Sequence, residues 1–141
     1  MPRLRHLLAL LVIGCASPAL ACDCVRLDPA FPHFKEDLDR IAAFYPVAAE
    51  GVVEADGPYA WRFRPTHEYR GAGKPSYRLE LLSDCSLDPI EMKKMIGKRV
   101  FLLLSRGTGG DSYEAQRCVN LQAAPVEAAI RARIKASCTS R

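Results

Sequence analysis

Six cysteines are the residues of this 141-residue chain whose type and spacing point most directly to chemistry: Cys15, Cys22, Cys24, Cys85, Cys118 and Cys138. Cys22 and Cys24 flank a single residue, Asp23. In an extended segment residues two apart share a face, so these thiols stand side by side, and each is expected to reach a distant partner. A structural zinc site would need a second closely spaced pair of Cys or His ligands. Cys85, Cys118 and Cys138 stand singly, and His33 and His67 lack partners at ligand spacing. Disulfides are therefore the expected use of these sulfurs, with no metal or cofactor of the chain's own.

The residues ahead of the motif read as an export address. Arg3, Arg5 and His6 form a positive head, Leu7 to Ile13 an apolar run, and Ala19-Leu20-Ala21 a small-residue cleavage site. Cleavage after Ala21 makes 1–21 a signal and 22–141 a single exported domain, periplasmic or secreted, where paired cysteines persist. A second route starts from Val12-Ile13-Gly14-Cys15, which resembles a bacterial lipoprotein box. Acylation of Cys15 would tether the protein to a membrane; without it no membrane contact is expected. Cleavage after Ala21 leaves an odd number of cysteines, so one stays free or pairs between chains. Links from Cys22 and Cys24 to Cys85 and Cys118, in either pairing, close long loops and are worth roughly 4 kcal/mol each by the loop-entropy argument.

Composition narrows function less than the cysteines do. Hydrophobic residues make up 49% and charged residues 26%, enough apolar content for a packed core. The formal net charge of +4 drops by two once Arg3 and Arg5 are removed, so charge demands no acidic partner. There is no Gly-x-Ser-x-Gly, no His-Glu-x-x-His and no phosphate-binding glycine loop, and an enzyme is not expected.

The elements that must position the cysteines follow from periodicity. Phe34, Leu38, Ile41, Ala42 and Tyr45 recur at helical spacing until Pro46. A strand is predicted over 47–55, with a bulge or bend at Gly51. Tyr59, Trp61 and Phe63 alternate with Ala60 and Arg62 in a second strand, weakened where Pro65 intervenes. A third strand, with Tyr77, Leu79 and Leu81, runs into Cys85. Asp88, Pro89 and Glu91 spell a capping box and first turn, and Gly97 ends that helix. Val100 to Leu104 is a buried strand by its unbroken apolar run. Ser112 to Leu121 is expected as a fifth strand containing Cys118. Pro125 opens a closing helix with Val126, Ile130, Ile134 and Cys138 on one stripe. Three strands, a helix and two strands is the order of the five-stranded OB barrel, so the expected class is mainly β with added helices.

The cysteine frame and this strand order together resemble the tissue inhibitors of metalloproteinases and the wider netrin-like group, in particular their bacterial relatives. The matching residues are Cys22-Asp23-Cys24-Val25 after Ala21 and Glu68-Tyr69-Arg70-Gly71 ahead of the third strand. Cys85 after that strand, Gly97-Lys98-Arg99-Val100-Phe101-Leu102 and Cys118 complete the frame, which spans roughly residues 22 to 121. The resemblance implies the pairs Cys22–Cys85 and Cys24–Cys118. It leaves Cys138 free, or bonded to Cys15 or to another chain.

The resemblance also implies a mechanism for a wedge formed by Cys22, Asp23, Cys24 and Val25. The α-amine and carbonyl oxygen of a mature N-terminal Cys22 can close a five-membered chelate ring on the catalytic zinc of a target protease. The amine must be neutral, which its reference pKa of about 8 allows. At Asp23 the chain departs from the family, where a small uncharged residue enters the protease pocket. Its carboxylate is costly to desolvate there. Three functions follow as expectations. The first is an extracytoplasmic interaction module of unknown target. The second is an inhibitor of an extracytoplasmic zinc metalloprotease. The third is an OB surface for oligosaccharide or nucleic acid, of which nucleic acid is not expected because alternation sends the aromatics and the arginines to opposite faces. Intact mass of the mature protein should start at Cys22 and rise by two hydrogens for each of two disulfides on reduction. A mass starting at an acylated Cys15 would remove the free amine.

Overall fold

The computed structural model describes residues 27–107 and 110–139. The segment expected to direct export, Cys15 and the Cys22-Asp23-Cys24-Val25 motif lie outside the described residues. The elements in chain order are α1 (Phe34–Phe44), β1 (Val47–Ala55), β2 (Ala60–Arg70), β3 (Tyr77–Glu80), α2 (Pro89–Met95), β4 (Arg99–Arg106), β5 (Ser112–Ala115), α3 (Arg117–Asn120) and α4 (Ala124–Thr139). The strands form one sheet in the order β1-β2-β3-β5-β4 that closes on itself as β4 pairs back onto β1. All pairs are antiparallel except β3 with β5. The class is mixed α/β, not mainly β. β3 and β5 are shorter than their alternation suggested, and a helix, α3, occupies part of the span expected as strand.

Two apolar layers share the same strands. Val47, Ala49, Val53, Trp61, Phe63, Tyr77, Leu79, Leu102, Leu104 and Tyr113 fill the barrel interior. Ala48, Phe101 and Leu103 point outward against Ala42 and Tyr45 of the α1 end and Val126, Ile130 and Ile134 of α4. Strand β4 is therefore apolar at successive positions because both of its faces are covered. The stripe on α4 is the expected one, and it packs against α1 across the outside of the barrel.

Local chemistry explains most of the element boundaries. Gly51 lies at a register shift between β1 and β2, and a Cβ there would come within 2.2 Å of the Arg64 carbonyl oxygen, so only glycine permits the approach. Pro65 faces Gly51 in that irregular stretch, which lets β2 continue through a residue without an N–H. At α2 the capping box is complete: the Glu91 N–H donates to Asp88 Oδ1 (2.8 Å) and the Asp88 N–H to Glu91 Oε2 (2.9 Å). Gly97, at φ 75°, turns the chain out of α2, and its N–H donates to the Val53 carbonyl (2.9 Å). Met92 of α2 and Leu87 before it join the interior cluster, so the helix closes one end of the barrel.

Polar side chains bolt the helical layer to the barrel. Glu50 Oε1 accepts from the Tyr69 hydroxyl (2.8 Å) and Arg131 (2.9 Å), and Oε2 accepts from Arg99 (3.0 Å). Arg131 also meets Glu127 (2.8 Å) and lies 4.9 Å from the Phe101 ring centre. Arg70 donates to the carbonyls of Ala42 and Tyr45 where α1 ends, and to Ser137 of α4. The Tyr69 hydroxyl bond, followed by the charges of Arg131 and Arg99, outweighs partial burial and holds the Glu50 carboxyl below its ordinary value. That stabilisation is present above the ordinary carboxylate range and is lost as pH falls through the depressed value. Glu50→Gln should cost roughly 1–2 kcal/mol at neutral pH, with the deficit shrinking in acid. Urea titrations from neutral to acid pH measure it, and a deficit that stays constant would refute the assignment.

Candidate functional site

Two of the three cysteines within the described residues, Cys85 and Cys118, lie together at one end of the barrel. Cys85 lies in the connection from β3 to α2 and Cys118 in α3, just after β5. Both are disulfide-bonded. An isolated antiparallel bridge joins Ser86 to Gln116, and the Arg117 N–H donates to the Cys85 carbonyl (2.7 Å). Two cysteines far apart in the chain thus flank one backbone crossing. The implied pairs Cys22–Cys85 and Cys24–Cys118 each include a residue outside those described.

Cys118 is not in a strand. β5 stops at Ala115, and the chain turns into the short helix α3. The turn is fixed from a distance: the Leu103 N–H donates to Asn120 Oδ1 (2.8 Å), and Asn120 Nδ2 donates to the Leu103 carbonyl (2.9 Å). An amide side chain takes the place of a strand partner along β4, so the chain carrying Cys118 need not pair there.

The connection carrying Cys85 is organised by side chains. Leu82 and Ser83 N–H groups donate to Ser86 Oγ (3.1 and 3.2 Å), and the Cys85 N–H donates to Ser83 Oγ (3.1 Å). Both hydroxyls in turn donate to Glu114 of β5. Leu81 and Leu82 remain 40% and 38% exposed, large apolar side chains at the mouth of an open cavity of about 460 Å³. Arg117 lines the same cavity, held by Glu91 (3.1 Å) and Asp88 (3.4 Å), so the capping box of α2 also orients this wall. The surface is amphipathic, with leucines beside fixed charges and no cluster of metal-ligand type among the described residues. Such an arrangement suits contact with another protein.

A polar relay continues inward from this end. Gln116 accepts from the Tyr45 hydroxyl (2.7 Å) and directs its amide toward Glu114 (3.5 Å). Burial, reinforced by the Glu114 charge, pushes the Tyr45 hydroxyl up to about 12.

The other candidate residues fall elsewhere. Cys138 has a free, half-buried thiol near the end of α4, donating to the Tyr69 carbonyl (3.0 Å), away from the bonded cysteines. Trp61 and Phe63 are buried as alternation predicts, but Tyr59 is 70% exposed because it precedes β2 and lies outside its alternation. The arginines on the β2 face are paired: Arg62 with Asp56 (3.1 Å) and Arg64 with Glu54. Arg78 and Lys74 meet Glu80 (2.8 Å) and Asp111 (2.9 Å). In the Glu68-Tyr69-Arg70-Gly71 segment, Glu68 accepts from the Tyr77 hydroxyl (2.5 Å) and the Gly73 N–H (2.9 Å), tying down the turn that follows.

The hydroxyl network around Glu114 was missed from the sequence. Its one signal there is a carboxylate between Tyr113 and Ala115. Comparison with protein-family models, curated proteins and solved structures finds no match to this chain.

The raised Tyr45 value implies stability that is complete below the ordinary phenol range, near 10.0, and is lost as pH rises toward about 12. The advantage of wild type over Tyr45→Phe should therefore fall by roughly 2 to 3 kcal/mol across that window. Denaturant titrations at stepped alkaline pH test this, and parallel curves for the two proteins would contradict it.

Proposed function

We propose that the chain is an exported, netrin-like OB-fold domain that acts by binding another protein through its stapled end, without catalysing a reaction. The observation that carries this is the meeting of Cys85 and Cys118 at the Ser86–Gln116 bridge, beside exposed Leu81 and Leu82. A motif with one residue between two cysteines suits two anchor points so close together. The ring order of the strands and the helix between β3 and β4 support the OB assignment. Paired arginines on β2 and β3 leave little free positive charge for a nucleic-acid backbone, which favours a protein partner. On this reading the domain is periplasmic or secreted, with acylation at Cys15 as the membrane-tethered alternative.

A sharper second reading is inhibition of a zinc metalloprotease, with Cys22 as chelator and Asp23, Cys24 and Val25 completing the wedge. The same pair of adjacent anchors favours it, because two staples around one residue would hold the wedge rigid and lower the ordering cost of binding. Leu81 and Leu82 would then form the second contact ridge.

The two readings separate experimentally. Mature protein beginning at Cys22 should inhibit an extracytoplasmic zinc metalloprotease, and one extra N-terminal residue should abolish inhibition by removing the free amine. Equal potency of the extended form would eliminate chelation. For the broader reading, Leu81→Asp with Leu82→Asp should leave the fold unchanged by circular dichroism and lower partner affinity about tenfold or more. Unchanged affinity would move the binding surface elsewhere.

A further inference from the structure

The helix that plugs the barrel has an inner and an outer face. Met92 of α2 enters the interior cluster, and Ile90, Lys93 and Lys94 are left exposed. The turn that follows adds Ile96 and Lys98, also exposed. That turn is pinned to the barrel, because Ile96 bridges Val53 and the Gly97 N–H donates to the Val53 carbonyl (2.9 Å). A seven-residue helix rises only about 10 Å, so these five residues issue from one short stretch of surface.

Nothing in the helix itself calls for the isoleucines. The staple positions around its capping box are Leu87 and Met92, both buried, whereas Ile90 is 67% exposed. Isoleucine is also a poorer helix former than lysine, glutamate or alanine. Ile96, at the end of the helix, is 38% exposed. The lysines are equally unengaged, and Lys93, Lys94 and Lys98 form no salt bridge with a described residue. The neighbouring carboxylates are already taken. Arg117 holds Asp88 and Glu91, while Arg62 and Arg64 hold Asp56 and Glu54 at the end of β1. The face therefore combines free positive charge with exposed aliphatic side chains.

We propose that the outer face of α2 and the turn after it dock on an anionic lipid surface. Ile90 and Ile96 enter the headgroup boundary, and Lys93, Lys94 and Lys98 meet the lipid phosphates. A lysine stem lies along apolar surface while its ammonium reaches the phosphate layer, so lysines beside isoleucines can make both contacts at once. Lysine is depleted from the cores of protein interfaces, where arginine and aromatic residues dominate, which favours lipid over an acidic protein. The contact is peripheral and needs no acyl chain at Cys15. It is also separate from the leucine pair of the binding reading. Leu81→Asp with Leu82→Asp leaves these five residues in place, so loss of partner binding and loss of lipid binding are distinguishable.

The experiment measures co-sedimentation of the unacylated mature protein, disulfides intact, with vesicles. One set contains phosphatidylcholine and phosphatidylglycerol in equal parts, the other phosphatidylcholine alone. Binding should be confined to the anionic set and should weaken as salt is raised. Lys93→Gln with Lys94→Gln should lower the partition coefficient about twentyfold, roughly fivefold for each lysine. Ile90→Gln should lower it about tenfold. Lys35→Gln with Arg40→Gln, an equal loss of charge from exposed positions on α1, should change it less than about twofold. Circular dichroism checks that each variant keeps the fold, and Ile90→Ala replaces Ile90→Gln if the latter does not. Absence of binding to anionic vesicles overturns the proposal. So does an equal loss in the α1 variant, which would mean attraction by net charge alone, or an unchanged partition for the Ile90 variant. Binding to polyglutamate with the same dependence on Lys93, Lys94 and Ile90, and none to vesicles, would assign the face to an acidic protein instead.

Discussion

Barrel closure passes through the parallel contact of β3 with β5, whose register comprises two pairs, Arg78 with Ser112 and Leu79 with Tyr113. Parallel strands need a long crossover, and here α2 and β4 supply it. So brief a ladder contributes few backbone hydrogen bonds, and side chains reinforce it on both sides. Tyr77 and Tyr113 meet edge to face at 4.9 Å within the interior, and Lys74 reaches Asp111 while lying over the Tyr113 ring. On the other side Glu114 gathers the hydroxyls of Ser83 and Ser86, and Leu87 donates to the Ala115 carbonyl (2.8 Å). The disulfide-bonded cysteines lie just beyond this seam.

The rest of the molecule follows from covering what the barrel leaves exposed. β1 and β4 present apolar residues outward, and α1 and α4 lie over them. Glu50 and Arg70 then lock that layer by bonds that span it, one toward α4 and one toward the end of α1. Because the helices cover one side and α2 plugs one end, the connection around Cys85 keeps Leu81 and Leu82 accessible. A rigid scaffold with an irregular, side-chain-organised edge is the usual setting for a binding surface.

Features governed by neighbours in the chain were legible in the residues. The capping box at Asp88 and Glu91, the bend at Gly51, the doubly buried run in β4 and the stripe of Val126, Ile130 and Ile134 all express short-range rules. Where such rules misled, a distant group had intervened. Alternation from Ser112 to Leu121 suggested one strand, but Asn120 bonds to Leu103 and Cys118 turns into a helix. Tyr59 joined Trp61 and Phe63 by spacing alone, yet it stands before the strand begins. Pro65 weakened the pattern of the second strand, and its position opposite Gly51 allowed β2 to run on to Arg70.

Periodicity and punctuation in the sequence by themselves determined most of the helical and extended segments, because these depend on side chains a few residues apart. The sequence also determined the candidate chemistry, six cysteines of which two flank a single residue. Tertiary structure alone decided that Cys85 and Cys118 flank one crossing, and that Cys138 sits apart with its thiol on the Tyr69 carbonyl. It alone turned Glu114 from one carboxylate among many into the buried acceptor of that crossing. The physical reason is the same in each case. Strand pairing brings residues together across tens of positions, and burial then gives each polar group a cost that its new neighbours must offset.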